Sequence, residues 1–185
     1  MRPSQHPDWN SIFGWCVKFE ADYLYEIARS VTGNIVEIGT YQGRSMVAIG
    51  LGCLESGAHL YTVDHYLGSP EHRTPPAKEV VVQNQFKFGL MRHVTVLEGD
   101  SQVVVPTIEA SFDMAYIDGT HSYRAVFDDF LVCWKKLTSH ANILFHDAYK
   151  GGWTEVEDAV KQIAMRWPME QVNVAGSIVH FRKMT

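Results

Sequence analysis

The sequence is short of several things, and each shortage removes a class of explanation. Only three cysteines, Cys16, Cys53 and Cys133, occur among 185 residues. They are odd in number, far apart and set among apolar neighbours. Without Cys-x-x-Cys spacing they suggest neither a disulfide framework nor a zinc or dithiol centre, and reduced core thiols in a cytoplasmic protein are expected. No uninterrupted apolar run approaches the ~20 residues that span a bilayer, and the opening "MRPSQHPDWN" has no apolar h-region, so no membrane partner is expected. Basic charge is scarce too: 16 Lys and Arg face 21 Asp and Glu, for a net charge of −5. That balance argues against a nucleic-acid partner, whose phosphates favour a basic surface. Internal repeats, low-complexity tracts and domain boundaries are also missing. A single domain over 1–185 is expected, with a helical segment at 1–33 ahead of a core at 34–185.

What is present is an alternation of two patterns. Short β-rich runs occur at 34–39, 59–64, 93–100, 112–118, 141–147 and 177–183. Between them lie stretches of helical spacing. In "YRAVFDDFLVCWKKL", Tyr123, Val126, Phe127, Phe130, Leu131, Trp134 and Leu137 recur at three- and four-residue intervals. Asp128 and Asp129 come early in that segment and Lys135 and Lys136 late, which suits a helix dipole. "SMVAIGLGCLES", "WTEVEDAVKQIAMRW" and "FGWCVKFEADYLYEIARSV" are the other helix candidates. Strands separated by helices imply right-handed crossovers, hence a doubly wound α/β domain with a mostly parallel sheet and helices on both faces. The stretch 65–79, rich in Gly, Pro and charge, reads as a lid or binding loop.

In such sheets ligands bind beyond the carboxyl ends of the strands. The first strand delivers Glu37, Gly39, Thr40, Tyr41, Gly43 and Ser45, and the second Asp64 and His65. The third ends in Gly99, Asp100 and Ser101, the fourth in Asp118 and, soon after, His121, and the fifth in His146 and Asp147. Any one of these is ordinary: Asp64 or Asp100 alone reads as a turn residue or a helix N-cap. Five successive strands ending in polar or ionisable groups on one edge exceed what folding needs.

The first turn, Gly-Thr-Tyr-Gln-Gly-Arg-Ser, is not the Gly-x-Gly-x-x-Gly of a dinucleotide site, because it has one glycine fewer and a carboxylate before it. That suits a ligand with an ammonium group and no pyrophosphate. Asp64 is placed to accept hydrogen bonds from ribose hydroxyls. S-adenosyl-L-methionine combines both features.

"VEIGTYQGRS" resembles the first motif of class I S-adenosylmethionine-dependent methyltransferases, in the form found in catechol-type O-methyltransferases. "YTVDH" resembles their ribose-binding motif and "VLEGDSQVVVP" their adenine-side motif. "AYIDGTHSYRAVFDDF" followed by "ILFHDAY" resembles a small bacterial methyltransferase family with Ile-Asp-Gly-x-His-x-Tyr and His-Asp signatures. The likeness runs from about Ile35 to Tyr149. It implies a Rossmann-like methyltransferase sheet, with Glu37, Gly39, Thr40, Tyr41, Gly43 and Ser45 around the methionine moiety. It further places Asp64 at the ribose and Asp100 and Ser101 beside the adenine, with His65, Gly99 and Asp118 among the cofactor-binding residues and Asp118 also catalytic. A divalent metal would fall to Asp118, His146 and Asp147, and the general base would be His121.

The set is chemically coherent. A bound cation lowers a hydroxyl's pKa, and an imidazole, with an ordinary pKa of ~6.5, accepts a proton at neutral pH. Magnesium prefers oxygen ligands, so the histidine points instead to manganese or a later transition metal, to a second base or substrate contact, or to no metal at all. The expected activity is methylation of a hydroxyl on a small acceptor: a sugar, a natural product or a phenol. The alternatives are a metal-independent methyltransferase, or a metal-dependent enzyme or nucleoside-binding protein on the same fold. The apolar surface of "SIFGWCVKFEADYLY" suits a homodimer. Trp153 and Tyr123 are expected to wall the acceptor pocket, and His72 and Arg73 could touch substrate. His6, His59, His93, His140 and His180 read as structural or surface residues. Asn142 stands where the family has a glycine, and a left-handed backbone there would explain it.

Overall fold

The computed structural model describes residues 1–68 and 77–185. Seven strands form one sheet: β1 (Asn34–Ile38), β2 (His59–Asp64), β3 (Val94–Glu98), β4 (Phe112–Ile117), β5 (Leu137–Phe145), β6 (Met169–Ala175) and β7 (Ile178–Lys183). Their order is β3-β2-β1-β4-β5-β7-β6. The first five are parallel, and β7 runs antiparallel to both β5 and β6. Strand order reverses between β1 and β4, so the crevice above their carboxyl ends is where such a sheet takes a ligand.

Six helices cover the sheet: α1 (Lys18–Arg29), α2 (Arg44–Ser56), α3 (Lys78–Lys87), α4 (Ser101–Thr107), α5 (Tyr123–Trp134) and α6 (Thr154–Arg166). Successive strand residues alternate between the two faces. Ile35, Met114 and Tyr116 join Leu24 of α1 and Ile49 of α2 on one side. Val36, Ala115 and Ile117 join Phe130 of α5 and Ile163 of α6 on the other. The helices α1 and α2 touch closely at Gly52, where a Cβ would lie 2.7 Å from both Ala28 Cβ and Tyr25 O. Only glycine permits that approach.

Several local expectations shift. Helix α1 begins at Lys18, not near residue 13. Residues 12–17 are instead pinned by Arg44, whose Nε donates to Cys16 O at 2.7 Å and whose guanidinium lies 3.9 Å over the Trp9 ring. Helix α5 ends at Trp134, and β5 starts at Leu137, earlier than its apolar run suggests. The left-handed residue there is His140 (φ 64°), not Asn142. Asn142 pairs with Arg182 in the sheet, and its Oδ1 lies 3.0 Å from His180 Nε2. Helices α3 and α4 and strand β6 were not evident in the sequence. The β-branched triplets Val80–Val82 and Val103–Val105 blur the helical signal of the first two. Strand β6 is an exposed edge with little apolar patterning.

Candidate active site

The carboxyl edge of β1 to β5 opens into a cavity of about 810 Å³. Its floor at β1 depends on Gly39 (φ 93°), where a Cβ would fall 1.9 Å from Asp118 O. The β1 turn and the end of β4 therefore meet backbone to backbone, which no larger residue allows.

One half of the cavity is built on β1, β2 and β3. Asp64 accepts the amide N–H of Tyr41 at 2.8 Å through Oδ2 and that of Tyr66 at 2.8 Å through Oδ1. Both tyrosines have left-handed backbones (φ 50° and 55°), a costly conformation for bulky residues. Asp64 thus holds two strained turns open while facing the cavity. Thr40, Tyr41, Ser45, His65, Gly99, Asp100 and Ser101 line the same half. Asp100 also caps α4, accepting from Gln102 N at 2.8 Å. Glu37 and Gly43 lie one layer behind the lining. Glu37 is fully buried and accepts a 2.6 Å hydrogen bond from Thr62 Oγ1, which in turn bonds Thr40. Burial pushes its carboxyl up to about 8, against the opposing pull of the Ser45 and Thr62 hydroxyls.

The other half gathers side chains from β4, β5, α1 and the loop before β7. His121 Nε2 lies 3.3 Å from Asp147 Oδ2, and its ring stacks on Trp153 with centroids 4.2 Å apart and planes 14° from parallel. Tyr116 donates to Asp118 Oδ2 at 3.1 Å. His146 is buried among three carboxylates: Nδ1 is 3.2 Å from Asp118 Oδ1 and 3.1 Å from Asp147 Oδ2, and Nε2 is 3.1 Å from Glu20 Oε2. Burial works against an imidazolium there, but the charge of Asp118 and bonds to all three acids outweigh it and hold the ring protonated well above its ordinary range. Burial likewise opposes ionisation of Asp147, yet bonds from His121 and His146 hold its carboxyl well below the usual range.

The expected metal set of Asp118, His146 and Asp147 does come together, and His121 joins the two carboxylates from another side. Both ring nitrogens of His146 face acids, whereas Asp118, His121 and Asp147 offer ligand atoms that all lie within 4.8 Å of one another. Trp153 lines the cavity as expected. Tyr123 does not, because its ring stacks on Phe127 away from the opening. His72 and Arg73 lie outside the described residues.

Two contributors were not foreseen. Glu20 is buried and accepts from Ser177 N at 2.8 Å, Ser177 Oγ at 2.9 Å and Val17 N at 3.0 Å besides facing His146. In the sequence it is only an acid within a helical stretch, and the structure puts it at the third position of α1. Asp129 of α5 lines the cavity and accepts from Ser101 Oγ; burial raises its carboxyl to about 6 despite that bond. Its buried neighbour Phe130 and the helical spacing were the available signal, but the Asp128–Asp129 pair reads equally well as a dipole feature.

Comparison with known proteins follows the same geometry. The O-methyltransferase NovP superposes with a TM-score of 0.76 at 16% identity, over 91% of this chain and 81% of that one. The O-methyltransferase TomG of Streptomyces achromogenes, from tomaymycin synthesis and solved in complex with SAM, gives 0.74 at 16% identity over 99% and 88%. CalS11, a TDP-rhamnose 3'-O-methyltransferase of calicheamicin biosynthesis, gives 0.63 at 19% identity over 88% and 76%. These likenesses establish the fold. A family profile described as a methyltransferase domain matches residues 36–148, from within β1 to just past Asp147. The chain belongs to this methyltransferase domain family.

Proposed function

We propose that the protein transfers a methyl group from S-adenosylmethionine to a hydroxyl oxygen of a small acceptor, with His121 as the general base. The observation that carries this reading is the pairing of His121 with Asp147 in the same cavity as the Gly39–Ser45 turn. S-adenosylmethionine, when bound, supplies a methyl group already activated on a sulfonium. The residues present fit it: a left-handed Gly-bearing turn, a carboxylate at the end of β2, and the Asp100–Ser101 start of α4. The acceptor hydroxyl is held where Asp118, His121 and Asp147 converge. His121 takes its proton on the imidazole ring, and Asp147, 3.3 Å from Nε2, stabilises the imidazolium as it forms. Trp153 keeps the imidazole plane fixed.

A second reading has Asp118, His121 and Asp147 hold a divalent cation that would acidify the hydroxyl. One imidazole with two carboxylates suits manganese, iron or zinc better than magnesium. His146 Nδ1, 3.2 and 3.1 Å from the two carboxylates, already gives them a partner without a metal, which favours the metal-free reading.

Calorimetric titration with S-adenosylhomocysteine, with and without manganese, tests both readings. Saturable binding indifferent to manganese is expected; no binding in either condition would sink the cofactor assignment. We also infer that residues 1–33 share one domain with the core, through Glu20, and that a second copy covers exposed Phe13 and Phe19. Sedimentation at micromolar concentration reads the latter directly. Three buried free thiols fit a reducing, cytoplasmic setting, and among the described residues no helix is long and apolar enough to cross a membrane.

A further inference from the structure

The acceptor half of the cavity has a charge and a wall chemistry, and together they narrow the substrate. Resting on the methyl-transfer reading above, we propose that the acceptor is a hydroxylated ring compound carrying no negative charge, either uncharged or cationic through an amine. Phosphorylated and carboxylated acceptors, such as nucleotide-linked sugars and coenzyme A thioesters, are rejected.

Among the described residues lining the whole cavity, seven carboxylates face two guanidiniums and no lysine, and three of the seven, Glu20, Asp118 and Asp147, belong to the acceptor half. Both arginines already have partners. Arg44 is spent on Cys16 O, at 2.7 Å, and on the Trp9 ring. Arg124 is turned to solvent, its side chain 85% exposed, and bonds Asp128 Oδ2 at 2.6 Å. At the acceptor end both ring nitrogens of His146 are already taken by Glu20, Asp118 and Asp147. Bound cofactor adds a single net positive charge, too little to reverse the sign. An anionic acceptor would lose its hydration and meet like charge, the element that sets specificity by repulsion. An ammonium would meet carboxylates and aromatic faces instead.

The walls supply the preference for a ring. Trp153 lies flat on His121 at one side. Trp15 and Tyr41, with ring centroids 5.0 Å apart, line the same cavity. Aromatic faces favour a ring-bearing ligand over an open chain.

The test uses three catechols that differ only in one arm: aminoethyl, hydroxyethyl or carboxymethyl. Each is titrated into the protein saturated with S-adenosylhomocysteine and assayed for methyl transfer with S-adenosylmethionine. The amine and alcohol are expected to bind at least roughly tenfold more tightly than the carboxylate, and to be methylated in that order of preference. The variant Val17→Lys places a cation at the cavity mouth, where Val17 is exposed and outside the proton-handling set. It should narrow the gap severalfold and leave the alcohol's affinity unchanged. Equal or tighter binding of the carboxylate overturns the proposal, as does failure of all three to bind the saturated protein. Failure of S-adenosylhomocysteine itself to bind removes the cofactor reading and the proposal with it, an outcome distinct from the other two.

Discussion

The two halves of the cavity are made differently. The β1–β3 half is built from backbone: Asp64 holds two peptide N–H groups, and Gly39 admits the β4 carbonyl. Its bonds are local, with 23 residues between Tyr41 and Asp64. The β4–β5 half is built from charge: His121, His146 and three carboxylates packed within bonding distance of one another. Its bonds are long-range, spanning 126 residues from Glu20 to His146 and 157 from Glu20 to Ser177. A fixed cofactor needs only a rigid cradle. Proton transfer needs titratable groups whose charge states are set by one another, and only tertiary packing supplies those.

The sharpest way to break this contrast is to strike the long-range half at Glu20. Glu20→Ala leaves the His146 imidazolium buried with one anion fewer, and removing one partner of a buried ion pair costs about 3–5 kcal/mol. Urea unfolding should show that loss, together with weakened attachment of residues 12–17. A loss under about 1 kcal/mol would mean that α1 merely leans on the site. Next in size is His121→Ala. Turnover should fall ~10²-fold or more, about 3 kcal/mol in barrier, while S-adenosylhomocysteine affinity stays within about twofold. Full rate in that variant would remove His121 as the base and separate the charged cluster from the chemistry.

The same contrast explains what could be read in advance. The parallel strands, their order of use along one edge, and the cofactor turn follow from patterns within a few residues: apolar alternation, paired glycines, an acid at a strand end. His121 and Asp147 were legible because each closes a strand. Glu20 was not, because nothing near it in the chain announces a histidine 126 residues away. The surroundings of His146 have the same origin: sequence places it at a strand end beside Asp147, but the acid that meets its Nε2 comes from α1. The start of α1 was misread for a local reason: "FGWCV" has helical apolar spacing, but the carbonyls of Ile12 and Cys16 are taken by Arg44 rather than by a preceding turn.

Asp64→Ala addresses the backbone-built half. It removes the acceptor of two amide bonds and the carboxylate we propose meets the ribose. A charge-assisted hydrogen bond contributes roughly 1.5–3 kcal/mol, so S-adenosylhomocysteine affinity should drop tenfold or more. Turnover at saturating cofactor should change much less than affinity, the reverse of His121→Ala. If both parameters fell together, the two halves would not be separable.

The smallest effect on ligand binding is expected at Glu37, behind the cradle. Glu37→Gln keeps the shape and an acceptor for the Thr62 hydroxyl, so S-adenosylhomocysteine affinity should shift by less than about threefold, whereas a large loss would put the carboxylate in contact with the ligand. Its signature lies in stability against pH. Burial raises the folded-state pKa from the ordinary 4.5 to about 8. Between those values the unfolded chain has released the proton that the native state keeps. Native protein therefore binds more protons than unfolded, and stability falls as pH rises through that window, by up to ~1.4 kcal/mol per unit. The glutamine variant has no proton to release, so its melting temperature relative to wild type should climb steadily from pH 5 to 8 and level off above. A gap that stays flat across that range would show Glu37 ionised in the folded protein, and the backbone-built half would then carry a buried charge of its own.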